Sequence, residues 1–269
     1  MTLRLAAEAA PGTHPAISLC GSPFCNLDVD SLISSAIAIA VTLAVAFAIR
    51  YRLTHGVPGK FQMVFEFILD FARRQVAETV GPTAQFVVPL AATIALYILV
   101  ANWIDFLPLG VVPNLIPANS DLNQTAAMAI VVIVLVEWYA IRERGLGGYL
   151  AHYTRPMEMS PIVRALFTPL NIIEEIAKPV TLSLRLFGNI FAGVVMVYLI
   201  STLIPTFLPS AALGAAVGAV VLAAWKIFDV GFIGAIQAFI FFLLTIIYFG
   251  MAREGLDEEH HGGAAAGAH

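Results

Sequence analysis

The sequence predicts an all-α polytopic membrane protein, and three observations carry that prediction. Of its 269 residues, 59% are hydrophobic and only 12% are charged, whereas a soluble domain has about 25% charged residues. Mean hydropathy is correspondingly high, at +0.87. Five stretches approach the ~20 apolar residues needed to cross about 30 Å of hydrocarbon. They run from about Leu32 to Ile49, Phe86 to Ile104 and Ala126 to Ile141, then along a stretch ending near Ile204, and from Leu213 to Gly250. The third observation is that basic residues crowd into alternate connections. A soluble core cannot hide this much apolar surface, so soluble enzymes, disordered chains and nucleic-acid binders are excluded. The net charge of −4 is too small to point to a partner.

The elements follow in order. Residues 1–31 form a tail that lacks the charged start, apolar run and cleavage site of a signal peptide. Its Cys20 and Cys25 either form a disulfide, if the compartment is oxidising, or remain free thiols. After the first span, residues 61–80 read as an amphipathic helix on the membrane surface. Phe61, Val64, Phe65, Ile68 and Phe71 recur at helical spacing, and Glu66, Asp70, Arg73 and Arg74 occupy the other side. Asp70 and Arg74 are spaced for an i,i+4 ion pair. The third span is short and contains Glu137, which leaves its ends open. The last is longer than a perpendicular helix needs, so it must tilt, curve or project into the interface. Residues 253–269 are acidic and then rich in glycine and alanine, a composition expected to be disordered. Residues 32–252 are thus one helical membrane domain between two tails.

Orientation comes from the basic residues. Arg50, Arg52, Lys60, Arg73 and Arg74 lie between the first two spans; Arg142, Arg144, Arg155 and Arg164 follow the third, and Arg253 follows the last. The intervening connections, Asp105 to Asp121 and Pro205 to Ser210, contain no Lys or Arg. The positive-inside rule therefore predicts an outside N-terminus and a cytoplasmic C-terminus. No phosphate-binding loop, nucleophile elbow or paired helical histidines appear, and the six histidines lack metal-ligand spacing. No covalent chemistry, cofactor or metal is expected.

The informative charges are those inside the long apolar runs. Arg185 sits in Pro179-Val-Thr-Leu-Ser-Leu-Arg-Leu-Phe-Gly-Asn189, and an arginine at mid-membrane costs at least about 2.5–3.5 kcal/mol. It stays protonated, so it is a permanent positive post rather than a proton carrier. Glu174 or Glu175, Lys178, Arg185 and Asn189 fall on roughly one helical face. The glutamates lie about 15 Å from Arg185 along the axis at 1.5 Å per residue. Either this stripe is a snorkelling or intramolecular ion-pair network, or Arg185 takes a carboxylate from elsewhere. In the last helix, Lys226, Gln237 and Tyr248 recur every eleven residues, a spacing that returns nearly to one face. Asp229 stands three residues after Lys226, near enough to pair with it. Gln237 suits either interhelical hydrogen bonding or a water-filled path.

The run Lys178 to Asn189, the segment Ile236-Gln237-Ala238-Phe239 and the segment Leu244-Thr245-Ile-Ile-Tyr248 resemble subunit a of F-type ATP synthases. So do Asn102-Trp-Ile-Asp105-Phe-Leu-Pro108 and Ser120-Asp121-Leu-Asn123-Gln-Thr125. The resemblance covers about residues 30–252. It implies a non-catalytic stator subunit whose last two helices, long and tilted, face a rotating ring of c subunits. It also implies b-type peripheral stalk subunits and a catalytic head on other chains, in a bacterial inner membrane. Two offset aqueous half-channels would lead protons to and from the ring carboxylates. Arg185 would separate the two paths, and its charge would lower the pKa of a facing carboxylate. Gln237 matches the family's facing glutamine, and Asn189 its asparagine one turn beyond the arginine. Many bacterial members carry an acid nine residues after the arginine and a histidine seven before the glutamine; here these are Val194 and Val230. Asp229 is then the nearest titratable substitute in the outer half-channel, unless Lys226 ties it up. Glu174 and Glu175 are candidates for the cytoplasmic exit or ordinary surface acids, and Lys178 and Tyr248 are candidate lining residues. Proton and sodium are not distinguished. The alternative is a secondary transporter holding an anionic solute at Arg185; a purely structural scaffold fits an intramembrane arginine poorly.

Overall fold

The computed structural model describes residues 16–18, 26–53, 59–81, 84–104, 119, 121–154, 161–207 and 210–253. Cys20, Cys25, the Asp105–Pro108 motif, Ser120, Arg155 and the tail beyond Arg253 lie outside the described residues, as do the side chains of Phe61, Val64 and Arg164.

The chain is helical, as its composition demands. The helices are α1 (Val29–Arg52), α2 (Lys60–Thr79), α3 (Val87–Ile104), α4 (Leu122–Thr154), α5 (Pro161–Phe207), α6 (Ala211–Lys226) and α7 (Gly234–Arg253). A π-helical segment, Ile227–Ile233, joins α6 to α7. Five runs are long and apolar enough to cross a membrane: Ser31–Arg52, Val87–Ile104, Leu122–Tyr149, Pro169–Phe207 and Ala212–Arg253. All five expected spans are present. One feature had no counterpart in the periodicity: strands β1 (Ala16–Ser18) and β2 (Asn26–Asp28) pair antiparallel, with Ile17 opposite Leu27.

The described residues divide into two compact units. One takes in parts of Met1–Leu53, Leu96–Thr125 and Leu186–Ala238. Small residues let its helices approach closely. Ala38 of α1 packs with Val100, Ala101 and Ile104 of α3, flanked by Leu96 and Tyr97. Polar groups are paired there too: Ser35 Oγ donates to Gln124 Oε1 at 2.6 Å, and Gln124 Nε2 donates to Tyr97 Oη at 2.7 Å. At the corner after α5, Ser210 caps α6 by accepting from the Leu213 N–H. Gly214 then lies against Pro205, where a Cβ would fall 2.9 Å from the Pro205 Cα.

The other unit takes in parts of Thr54–Ala95, Ala126–Arg185 and Phe239–His269. Phe86, Tyr139 and Phe249 form its aromatic centre, with ring centroids 5.4–5.8 Å apart. The chain leaves α2 through Gly81, whose φ of +103° is a conformation that glycine adopts without steric cost. Arg253 donates to the Val80 carbonyl beside that turn. Helix α2 buries Ala72, Val76 and Val80, and Phe71 reaches Phe239 at 6.1 Å. Ile68, assigned above to the apolar face, is exposed. The expected Asp70–Arg74 ion pair is replaced: Asp70 pairs with Arg73 at 3.6 Å, and Arg74 Nε donates to the Asp70 carbonyl. Both geometries are open to an exposed i,i+3 or i,i+4 pair, and their energies differ little.

Helix α4 settles the ends that the short third span left open, running from Leu122 to Thr154. The apolar run stops near Ile141, but helical structure continues to Thr154, broken only at Gly145 with φ +70° and ψ 163°. That break brings Tyr149 back onto Glu137, and the Tyr149 hydroxyl donates to Glu137 Oε2 at 2.5 Å.

Candidate functional site

Arg185 is carried by α5, a 47-residue helix that contains Pro169, Pro179 and Pro205. Each proline removes one backbone N–H from the helical ladder. Near Pro179, Thr181 Oγ1 donates to the Ala177 carbonyl at 2.8 Å and Ser183 Oγ to the Val180 carbonyl at 3.0 Å. Such back-bonding satisfies hydroxyls in apolar surroundings and favours gentle bending. Arg185 is exposed on this helix and makes no ion pair among the described residues. Its neighbours Leu182, Ser183 and Leu186 are buried, which fixes Arg185 and Leu184 to the outer face.

The polar stripe of α5 resolves into separate groups. Lys178 Nζ pairs with Glu175 Oε2 at 2.7 Å, both largely shielded, whereas Glu174 is exposed. Of the two glutamates on that face, Glu175 is thus the one that pairs with Lys178. Asn189 is half-buried.

The π segment sets the geometry of the other candidates. A π turn inserts residues relative to α-helical phase and leaves a local bulge. Asp229, on this segment, is buried. Its carboxylate lies directly against Gly193 of α5, where any Cβ would collide with it. Gly193 was not singled out by the sequence reading; its signal was a small residue inside an apolar run, eight positions after Arg185. The segment also corrects the eleven-residue repeat. Lys226 precedes the π turns and Gln237 follows them, so α-helical spacing no longer returns the two to one face. Lys226 is half-buried, and Gln237 is buried at 6% exposure. Tyr248 is half-buried on α7.

Two buried asparagines adjoin the end of the π segment. Asn119 Nδ2 donates to Asn102 Oδ1 at 2.9 Å, and Asn102 Nδ2 donates to the Gly234 carbonyl at 3.3 Å. An open cavity of about 290 Å³ lies beside the same segment, lined by Trp103, Ile227, Val230 and Gly231. Val230 is buried and Val194 is exposed, and neither supplies a titratable group. Among the described residues, no group of histidine, cysteine and acidic side chains has the geometry of a metal site.

The arrangement places a cation on the exposed face of one helix and a buried acid where two helical segments meet. The family profile described as "ATP synthase A chain" matches residues 32–250. The chain belongs to that family. It is 38% identical over 264 residues to "ATP synthase subunit a" of Acidothermus cellulolyticus, an alignment covering 96% of this chain and 90% of the relative. It is 41% identical over 266 residues to the protein of that name from Mycobacterium marinum, covering 96% and 98%. The protein of that name from Mycobacterium ulcerans is 42% identical over 267 residues, with the same coverage. Membership in the ATP synthase subunit a family and the five apolar runs agree on a multi-pass membrane subunit.

Proposed function

We propose that the chain is the proton-translocating stator subunit of a rotary ATP synthase. It would work against a ring of c subunits, with b-type stalk subunits and a catalytic head on other chains. Arg185 carries this reading. It is a permanent cation on the outer face of a membrane-length apolar helix, without an ion pair among the described residues. A partner chain that brings a carboxylate to that face would remove the cost of leaving it there.

In this reading, protons enter an outer half-channel lined by Asp229, protonate a ring carboxylate and leave by a second, cytoplasmic half-channel. Arg185 lies between the two paths, with Gln237 and Asn189 lining its surroundings. Its charge favours the ionised ring carboxylate, drives release of the arriving proton and repels a direct proton leak. Glu174, Glu175, Lys178 and Tyr248 line the cytoplasmic side. The basic connections face the cytoplasm of a bacterial inner membrane, and the N-terminus lies outside. Each proton crossing supplies about 2.3 kcal/mol per 100 mV of membrane potential.

The test is Arg185→Ala in membranes carrying the assembled complex. ATP-driven proton pumping is expected to be abolished; normal coupled pumping overturns the reading. Purification of the tagged chain is expected to bring down a ring of small hairpin proteins. Exchange of an anionic solute by the chain alone in liposomes would instead favour a transporter.

A further inference from the structure

We propose that the exposed face of α4 binds an anionic phospholipid, with the lipid phosphate on Arg142 and an acyl chain along Trp138, Val134 and Val131. The inference needs α4 to cross the membrane and does not rest on the stator reading.

Helical geometry sets the face. At about 100° per residue, Ala127, Val131, Val134, Trp138 and Arg142 fall within about 40° of one line down α4. All five are exposed. The packing lies on the other side, where Ala129, Val132, Val136 and Tyr139 are buried. In a membrane span, an exposed apolar stripe meets either lipid or another helix. Helix pairs in bilayers favour small residues where they touch. From Val131 to Trp138 this stripe instead offers two valines and a tryptophan, each more than half exposed. Lipid suits it better.

The foot of the stripe supplies the headgroup contact. The Arg142 guanidinium lies 5.4 Å from the centroid of the Trp138 ring, close enough for a cation–π attraction. Arg142 makes no ion pair among the described residues. Glu143, the next residue, points about 100° away around the axis, and Glu137 accepts from Tyr149. A stacked, exposed guanidinium presents a fork of N–H donors that fits a phosphate through two parallel hydrogen bonds. A zwitterionic headgroup carries its own cation beside the phosphate. An anionic headgroup leaves that role to Arg142.

Length selects a lipid over a free anion. Val131 and Arg142 are separated by about 16 Å along the axis, at 1.5 Å per residue. Half of a hydrocarbon core of about 30 Å is about 15 Å. With Arg142 at headgroup level, Val131 reaches the bilayer centre, and the apolar stripe between them spans one leaflet. Trp138, one turn from Arg142, then sits in the interfacial zone that tryptophan favours. A free phosphate would use Arg142 alone and leave the stripe beside it without a role.

The test uses the assembled complex in phosphatidylcholine vesicles doped with phosphatidylglycerol that carries a photoreactive acyl chain. After illumination, mass spectrometry of peptides measures the lipid attached to residues 130–142. Labelling there is expected to exceed that from photoreactive phosphatidylcholine at the same mole fraction. Arg142→Gln is expected to lower it about tenfold, as for loss of a charge-assisted hydrogen bond. Trp138→Leu keeps the apolar surface, removes the stacking platform and is expected to lower it severalfold. ATP-driven pumping by the variants shows that they have assembled, and the wild-type comparison of the two lipids needs no variant. Equal labelling by the two lipids in wild type overturns the site, as does undiminished labelling of an assembled Arg142→Gln complex. Excess inorganic phosphate is expected to leave the labelling unchanged; if it abolishes the labelling, the site takes free phosphate and the lipid assignment falls. Absence of lipid label, with this face cross-linked to a partner chain instead, also overturns it.

Discussion

Gly193 exists in contact with Asp229: the carboxylate occupies the space that a side chain at 193 would need. The buried acid and the missing Cβ are two halves of one packing solution between α5 and the π segment. Gly193→Ala is therefore expected to destabilise the protein by about 1–3 kcal/mol, the usual range for overpacking. Asp229→Ala opens the same space. The double variant should thus be more stable than the sum of the two single changes predicts. Thermal unfolding in detergent measures all three; strict additivity would show that the two side-chain positions do not share space.

Asp229→Asn keeps the shape at that position and removes the charge. If Asp229 lines the outer half-channel, ATP synthesis driven by an imposed proton gradient should fall. Synthesis unchanged across a range of outside pH values would remove Asp229 from the path.

The pair Asn102 and Asn119 predicts a penalty of a different kind. Asn102→Leu leaves the Asn119 amide and the Gly234 carbonyl without their observed side-chain partner. A buried polar group left unsatisfied costs about 1–3 kcal/mol, so a lowered Tm is expected. A variant as stable as wild type would mean that water replaces the lost bonds.

The turn from α5 into α6 depends on Gly214. A Cβ there would approach backbone rather than a movable side chain, 2.9 Å from the Pro205 Cα. Gly214→Ala should lower stability by about 1–3 kcal/mol. Gly218→Ala, where the nearest atom is a methyl of Ile204 at 3.8 Å, should cost much less. Similar Tm values for the two variants would show that the corner can open.

The helices were legible because membrane spans announce themselves by composition, and Arg185 was legible because charge is rare there. What escaped depends on which side chain meets which. Glu137 stood out as an acid inside a span, yet nothing in its local spacing named Tyr149. The return of Tyr149 required the break at Gly145, a single residue of positive φ inside a helical pattern. The choice of Arg73 over Arg74 by Asp70 turns on side-chain rotamers of nearly equal energy. Gly193 looked like one more small residue until Asp229 was found filling the space beside it.

The π segment has a consequence for how this polypeptide can vary. Face assignment along a helix works like a phase, advancing about 100° per residue at 3.6 residues per turn. The Ile227–Ile233 bulge resets that phase. A bulge displaced by a turn along the chain would swap which residues look inward over that turn, with no insertion, no deletion and no change in length. Residues such as the exposed Phe228 and the buried Asp229 could thereby exchange orientations without exchanging positions in the sequence. Gap-free alignment of two such chains would then pair residues that point in different directions.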